Sequence, residues 1–224
     1  VYSRFSALTV VDPSLQAVQD MEIDRPWIVQ RFIPGRRICT WAVAHRGRMT
    51  AYTAYETNYT LGQGASVNFE HLEHAGAEGW TARFLAGESF TGQIGLDLIQ
   101  AQDGTVYGIE ANPRITSGMH LFSHLPSFCE ALWNPGLEVL KPVGGPPAML
   151  GVSMVLHLLG EVRTRRAFRD WWSVFSRSRE VVYSLRDPLP MFWRYLWLGG
   201  LILRSRAVGL PPQQAISIDM EWNG

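Results

Sequence analysis

The chain has 224 residues, 46% of them hydrophobic, which is enough to bury a substantial core in one or two domains. Its 20 basic and 20 acidic side chains cancel, so bulk charge excludes a general role in binding nucleic-acid backbones. The two cysteines, Cys39 and Cys129, are too few for a disulfide framework and indicate reduced thiols in a cytoplasmic protein.

Residues 1–27 open the chain without an initiating Met, which predicts that further residues lie upstream of Val1. A short helix is predicted from Pro13 to Met21. Asp12 can cap this helix, because Asp is favoured at the N-cap and Pro at the first helical position.

Residues 28–56 are predicted to form a β-meander. An apolar strand over 28–33 ends at a Pro-Gly turn signal. Two further strands, 38–45 and 49–55, flank Arg46-Gly47 and are predicted to pair as a hairpin.

Residues 57–66 form a polar loop with two glycines, which fits a segment that closes over substrate or a simple connection. A strand follows over 67–73 and a helix over 75–88. Strand alternation puts Glu70 and His71 on opposite faces, which argues against a metal cluster there.

Residues 91–118 are the most informative stretch, and they are predicted to form an antiparallel hairpin. Asp103-Gly104 is typical of a two-residue turn in which both residues have φ > 0. In that register, opposed residue numbers sum to 207, so Asp97 faces Glu110 and Gly95 faces Asn112. Asp97, Glu110 and Asn112 then share one face. The opposite face is predicted to be a core face and carries Leu96, Leu98, Tyr107, Ile109 and Ala111.

Two opposed carboxylates repel each other unless a cation lies between them. Two carboxylates and an amide oxygen suit a hard ion such as Mg²⁺, with Mn²⁺ as the alternative, and Gly95 is expected to leave space for a ligand. Arg114, just past Pro113, offers a planar guanidinium to a phosphate. The competing interpretation is a surface hairpin with scattered acids.

Beyond the hairpin, His120 lies among apolar residues, where a structural histidine is the alternative to a functional one. The Pro/Gly-rich residues 136–150 predict a linker. Residues 163–177 are predicted to form a basic-aromatic helix. The pattern favours a solvent-exposed helix face on which the aliphatic parts of Arg side chains pack against tryptophan rings. The apolar run 188–203 is too short to span a bilayer, and the sequence favours a buried core helix over attachment to a membrane surface.

The hairpin residues resemble a known family. Asp97, followed by Glu110-Ala-Asn112-Pro-Arg114, is similar to the metal-binding signature of the ATP-grasp superfamily of carboxylate–amine ligases. The wider run GIEANPRITSGMHLF resembles bacterial members related to the ATP-binding domain of the carbamoyl-phosphate synthase large chain. WIVQRFIPGRR resembles the hinge that contacts adenine, with Arg37 where the family has a ribose-binding glutamate. A guanidinium cannot accept a hydrogen bond, so ribose recognition is expected to differ.

The resemblance implies a set of site residues. For the nucleotide they are Gln30, Arg31, Phe32, Ile33 and Arg37; for the metal, Asp97, Glu110 and Asn112; for catalysis, Arg114 and His120. The family's ATP-contacting lysine would lie upstream of Val1.

The resemblance also implies an α+β fold in three parts. Residues 1–27 would be a remnant of the central ATP-grasp subdomain. Residues 28–135 would be the C-terminal subdomain, with a mostly antiparallel sheet flanked by helices. Residues 136–224 would be a linker and a mainly helical appended region.

The implied function is an ATP- and Mg²⁺-dependent ligase that forms an acylphosphate from a carboxylate and transfers it to an amine or similar nucleophile. Its partners would be ATP and small-molecule substrates, with a homo-oligomer left open and no nucleic acid expected. Two alternatives stay open. Arg37 favours a degenerate, non-catalytic nucleotide-binding or regulatory module, and residues 163–206 favour a membrane-surface interaction domain.

Overall fold

A computed structural model describes residues 31–56, 59–61, 65–183 and 187–209. The predicted helix over 13–21 and Gln30 lie outside the described residues. The chain divides into two compact units, and the larger one spans Pro34–Ser184. The predicted domain boundaries at residues 27 and 135 stay predictions.

Strands and helices are given in chain order. The strands are β1 Gly35–His45, β2 Arg48–Glu56, β3 Thr60–Leu61, β4 Ala65–Ser66, β5 Asn68–Leu72, β6 Gly92–Ala101, β7 Val106–Asn112, β8 Ala148–Met149 and β9 Arg179–Glu180. The helices are α1 Ala75–Gly87, α2 Phe128–Ala131, α3 Gly151–Glu161, α4 Arg165–Arg177 and α5 Leu189–Val208, with a 3-10 helix at Ser117–Phe122.

The larger unit is built on one seven-stranded sheet in the order β7-β6-β1-β2-β5-β8-β9. Its neighbours pair antiparallel except β8 and β9, which pair in parallel. Helices flank the sheet, so the predicted α+β class is confirmed.

The β1–β2 hairpin turns where the sequence predicts. Arg46 and Gly47 both have positive φ, 50° and 83°, which is the geometry of a two-residue turn between twisted strands. The strand predicted over 28–33 is wrong for Arg31, Phe32 and Ile33, which are not in a strand. A strand needs a partner for its backbone groups, and β1 pairs with β2 and β6 only from Gly35 onward.

Each face of the sheet has its own core. On one face, α1 packs Ala77 and Leu85 against residues of the central strands, which include Ile38, Ala42, Tyr52, Ile94, Leu96 and Leu98. On the other face, the 3-10 helix brings Phe122 against Trp41, with ring centroids 5.2 Å apart. Because alternate residues of β1 and β6 point to opposite faces, Cys39 and Asp97 lie on the face that holds Trp41 and the 3-10 helix.

Helix α5 lies in the smaller unit, and the prediction that it is a buried core helix is wrong. Long apolar side chains on it are exposed, among them Leu189, Phe192, Trp193, Leu196, Trp197 and Leu203. Its apolar residues surround the helix axis, and the buried ones described on it are Leu201 and Ser205. No helix in the described part of the chain has the length and apolar character needed to cross a membrane.

Candidate active site at the β6–β7 hairpin

The predicted register of the β6–β7 hairpin is confirmed at the acidic residues. Asp97 lies opposite Glu110, and Gly95 lies opposite Asn112. Since paired residues project to the same side of a sheet, the two carboxylates and the Asn112 amide share one face. Asp97 and Asn112 are half-buried, whereas Glu110 is exposed at the sheet edge.

The turn itself differs from the prediction. Ala101 N donates to Thr105 O at 2.9 Å, so the loop has three residues, and positive φ is confined to Gly104 at 85°. Asp103 instead accepts a hydrogen bond from Thr105 N through its side chain at 2.9 Å. Asp and Asn commonly make this contact in turns, and it keeps Asp103 out of the left-handed region.

A β-bulge compensates for the longer loop. Leu98 pairs with Gly108, but Asp97 pairs with Glu110, so Ile109 is the extra residue. The loop shifts the register by one residue, and the bulge shifts it back before the acidic pair. The two deviations cancel at Asp97 and Glu110.

The predicted core face is correct on β6 and wrong on β7. Leu96 and Leu98 are 1% exposed, whereas Tyr107 is 36% and Ile109 45% exposed. Because of the bulge, Tyr107 pairs with Ile99 and therefore faces the side of Asp97. At the next position, Gly108 lies directly against the Trp80 ring of α1, where a side chain has no room.

Cys39 on β1 lies beside Asp97, on the side away from Glu110. It pairs with Asp97 across the strands, and its thiol donates to Asp97 Oδ1 with the sulfur 3.1 Å from the oxygen. Burial raises the pKa of the Cys39 thiol well above its ordinary value, and the negative charge of Asp97 raises it further. The thiol therefore stays protonated near neutral pH and can hold Asp97 in place.

Arg114 lies beside Asn112, the third residue predicted to bind the metal. Its Nη2 is 3.4 Å from Asn112 Oδ1, and its Nη1 is 3.3 Å from the carbonyl oxygen of Ile115. The guanidinium is exposed, so it adds a cation at the open end of the hairpin. Arg114 and Asn112 thus lie in contact, and phosphate binding by Arg114 stays a prediction.

The space beside Gly95 is not free for a ligand, contrary to the expectation from the sequence. A Cβ atom on Gly95 would lie 2.6 Å from Thr116 Oγ1 and nearer still to its methyl group. Thr116 precedes the 3-10 helix, so Gly95 allows the loop after β7 to pack onto the sheet. The glycine serves close packing of the chain.

His120 is not brought to the acidic pair. Its ring stacks on Phe69 of β5, with centroids 6.4 Å apart, and its carbonyl oxygen accepts from Arg179 at 2.8 Å. β5 is three strands from β6, which corresponds to about 14 Å at the usual strand spacing. Burial lowers the pKa of His120, and the nearby Arg179 lowers it further.

The residues predicted to bind nucleotide are divided between the two compact units. Arg37 is exposed on β1 and pairs with Ile99, which puts it on the same face as Cys39 and Asp97. Its positive charge acts on the Cys39 thiol, lowering the pKa in opposition to burial. Arg31, Phe32 and Ile33 belong to the smaller unit, and their contact with adenine stays a prediction.

The donor set fits Mg²⁺ in chemistry. Asp97, Glu110 and Asn112 offer hard oxygen ligands, and the protonated Cys39 thiol is a poor competitor for such an ion. Within the described ranges, no three His, Cys, Asp or Glu side chains cluster so as to hold a metal ion. Mg²⁺ usually completes its shell with water and substrate phosphates, and such a site needs only one or two carboxylates.

Sequence reasoning missed Cys39 and Thr116. Cys39 has no motif around it, and it reaches the hairpin through the pairing of β1 with β6. Thr116 lies within the run after β7 that resembles the family, but that resemblance gives no sign of its packing against Gly95. The signal that identifies Cys39 is its alternation with Trp41 on one face of β1, combined with knowledge of which strand lies next to β1.

The chain matches no protein-family model and no curated protein. Among solved structures, it is similar to an N5-carboxyaminoimidazole synthetase from Staphylococcus aureus complexed with ADP. That likeness has 11% identity and a TM-score of 0.43, and it covers 67% of this chain and 52% of the other. The N5-carboxyaminoimidazole synthase from Aspergillus clavatus is similar over 56% of this chain and 39% of its own, at 13% identity and a TM-score of 0.40.

A putative ATP-grasp superfamily protein from Archaeoglobus fulgidus is also similar, at 18% identity and a TM-score of 0.38. That likeness covers 53% of this chain and 39% of the other. The chain thus spans about half or less of the length of these three structures.

Proposed function

We propose that this chain carries the metal-binding half of an ATP-dependent ligase that activates a carboxylate. The observation that supports this most directly is the pairing of Asp97 with Glu110, with Asn112 on the same face and Arg114 against the Asn112 amide. Two carboxylates that face each other at a sheet edge are unfavourable by themselves, and a divalent cation removes that cost.

Asp97, Glu110 and Asn112 would hold Mg²⁺. The ion would supply positive charge against the negative charge that develops during phosphoryl transfer. Arg114 would bind a phosphate oxygen at the open end of the hairpin. Cys39 would keep the Asp97 carboxylate oriented through its S–H hydrogen bond. His120 has no part in this arrangement, because it lies over β5.

The proposed reaction has two steps. A substrate carboxylate oxygen attacks the γ-phosphorus of ATP, the bond to the β–γ bridging oxygen breaks, and ADP leaves. An amine then attacks the acyl carbon, and inorganic phosphate leaves as the new carbon–nitrogen bond forms. Both steps depend on positioning and charge neutralisation more than on an acid–base residue.

Calorimetry with ATP, in the presence and absence of Mg²⁺, tests the proposal. Asp97→Asn and Glu110→Gln should each weaken Mg²⁺-dependent ATP binding by about tenfold or more, since each removes a charged ligand. The matched control is Glu88→Gln, an exposed carboxylate just after α1. Unchanged metal-dependent binding in both site variants would eliminate the assignment.

A regulatory nucleotide-binding module is the second candidate, and the position of Arg37 favours it. Arg37 lies on the site face, where it supplies positive charge and cannot accept a hydrogen bond from a ribose hydroxyl. ATP binding that is independent of Mg²⁺, without ADP release in the presence of carboxylates and amines, would support the module over the ligase.

A further inference from the structure

Helix α4 carries a stripe of basic and aromatic residues that the proposed ligase site does not use. Arg165, Phe168, Arg169 and Trp172 are spaced three and four residues apart, so they lie on one side of the helix. Phe168 is 48% and Trp172 54% exposed. We call these four residues the basic-aromatic stripe.

The exposure of the stripe is not a result of poor packing of α4. The helix begins at a capped end, where Thr164 Oγ1 accepts from Ala167 N at 3.1 Å. Trp171 on the neighbouring side is 3% exposed, and its Nε1 donates to the Met154 carbonyl oxygen of α3 at 3.0 Å. The helix already has a buried face, so the exposed aromatics form an additional surface. The exposure agrees with the solvated face expected from the sequence, and Phe168 and Trp172 add a large apolar area to that face.

The stripe borders a groove of about 590 Å³ between α3 and α4. Leu158 and Val162 add aliphatic surface to it, while Arg165 and Arg169 add positive charge. No acidic residue is among the described residues that line this groove. The surface is therefore apolar and cationic at the same place.

The negative charge of α4 lies elsewhere on the helix. Its one acidic residue, Asp170, lies four residues after Arg166 and seven before Arg177, so it shares their side of the helix. Arg177 is itself paired with Glu70 of β5, with Nη2 2.7 Å from Oε2. Because Asp170 lies on another side of α4, no carboxylate of this helix lies within the stripe.

We propose that the basic-aromatic stripe binds the surface of a bilayer that contains anionic phospholipid. Trp172 and Phe168 would lie at the boundary between headgroups and acyl chains, and Arg165 and Arg169 would contact lipid phosphates. Exposed tryptophan and phenylalanine beside arginine on a short amphipathic helix are typical of peripheral membrane contact. This develops the membrane-surface alternative that the sequence leaves open for residues 163–206.

A nucleic acid fits the same surface less well. Non-specific binding to nucleic acid depends on accumulated positive charge, and the 20 basic side chains of the chain are matched by 20 acidic ones. The aliphatic Leu158 and Val162 beside the stripe also suit an acyl chain better than a base or a phosphate.

Co-sedimentation of the whole chain with vesicles tests the proposal. Binding should require phosphatidylglycerol in phosphatidylcholine vesicles. The double variants Phe168→Ser/Trp172→Ser and Arg165→Glu/Arg169→Glu should each lower the partition coefficient by about tenfold or more. The loss in the arginine variant should shrink at high salt, whereas the loss in the aromatic variant should persist. Circular dichroism should show both variants folded, because the altered side chains are exposed.

Two controls match the variants in chemistry. Trp133→Ser removes a tryptophan that is 70% exposed outside the groove, and Arg83→Glu reverses an exposed charge on α1. Both should bind vesicles as the unaltered chain does.

Several results would overturn the proposal. One is binding of both double variants to vesicles as tightly as the unaltered chain. A second is no binding of the unaltered chain to anionic vesicles. A third is loss of binding in Trp193→Ser/Trp197→Ser on α5 while both α4 double variants still bind. Binding of a DNA duplex that needs the arginines and not the aromatics, without vesicle binding, would assign the stripe to nucleic acid instead.

Discussion

Cys39 and Asp97 lie opposite each other on β1 and β6, and the thiol donates a hydrogen bond to the carboxylate with 3.1 Å between sulfur and oxygen. The bond ties one ligand of the proposed metal site to β1, an inner strand of the sheet. It also makes the free energy of unfolding depend on the protonation state of the Cys39 thiol.

Alkaline pH should destabilise the protein through Cys39. The folded-state pKa of this thiol is raised, mainly by burial, so the unfolded chain loses the proton first as pH rises. The stabilisation is complete below the unfolded thiol pKa, about 8.5, and falls above it by up to about 1.4 kcal/mol per pH unit. Urea unfolding at pH 7.5 to 10 measures this slope.

The slope should be smaller in Cys39→Ala and unchanged in Cys129→Ala, because Cys129 is exposed. In the native protein at neutral pH, a thiol reagent should label Cys129 and spare Cys39. Rapid labelling of both thiols without denaturant would contradict this account of the Cys39 environment.

Gly95→Ala should destabilise the protein by about 1–3 kcal/mol, since its Cβ would overlap the Thr116 side chain. Thr116→Ala removes the overlapping methyl and hydroxyl groups, so the double variant should recover part of the loss. A double-mutant cycle from urea unfolding measures the coupling. Gly87→Ala is the control, because nothing lies within 4 Å of a Cβ placed there. Additive losses at Gly95 and Thr116 would show that the two residues do not pack together.

The acidic site could be predicted because it depends on local pairing. Asp97 and Glu110 are joined by a short connection, and alternation along two adjacent strands is enough to put them together. The loop type and the bulge at Ile109 could not be predicted. Asp103-Gly104 is compatible with two- and three-residue loops, and the register that accompanies the three-residue loop puts Gly108 against Trp80.

Contacts between segments that are distant in the chain could not be predicted from the sequence. The pairing of β1 with β6, which brings Cys39 to Asp97, has no local signal in either strand. The exposure of α5 likewise could not be read from its composition, since an apolar run predicts burial without showing whether a partner is present to cover it.

His120 and His71 should titrate below the ordinary histidine pKa. Burial is the main cause at both residues, and Arg179 adds to it at His120. A folded-state pKa that is lowered contributes stability above the unfolded value of about 6.5, and this contribution is lost as pH falls. NMR of the imidazole nitrogens measures both pKa values directly.

His120→Phe should keep the stack on Phe69. Between pH 6.5 and 5, the free energy of unfolding of this variant should fall less steeply than that of the unaltered chain. His124→Phe, which alters an exposed ring, serves as the control. A His120 pKa at or above the ordinary value would contradict the effect of burial and of Arg179.

Arg37 gives the sharpest test of nucleotide recognition. It lies on the face of Asp97, at the position where the ATP-grasp resemblance implies a ribose-binding glutamate. A guanidinium cannot accept from a ribose hydroxyl, so the unaltered chain should bind ATP and 3′-deoxy-ATP with similar affinity. Arg37→Glu restores an acceptor, and it should favour ATP by about tenfold, the typical value of a hydrogen bond to a charged group.

Competition calorimetry with the two nucleotides measures this preference in the unaltered chain, in Arg37→Glu and in Arg37→Gln. The glutamine variant separates the loss of positive charge from the gain of a carboxylate, because its amide oxygen is a neutral acceptor and should give a smaller preference. Arg83→Glu is the charge control, because Arg83 is exposed on α1, which packs on the opposite face of the sheet from Asp97. If the unaltered chain already binds ATP much more tightly than 3′-deoxy-ATP, a residue other than Arg37 accepts the hydrogen bond from the ribose hydroxyl. Arg37 then does not occupy the ribose-binding position.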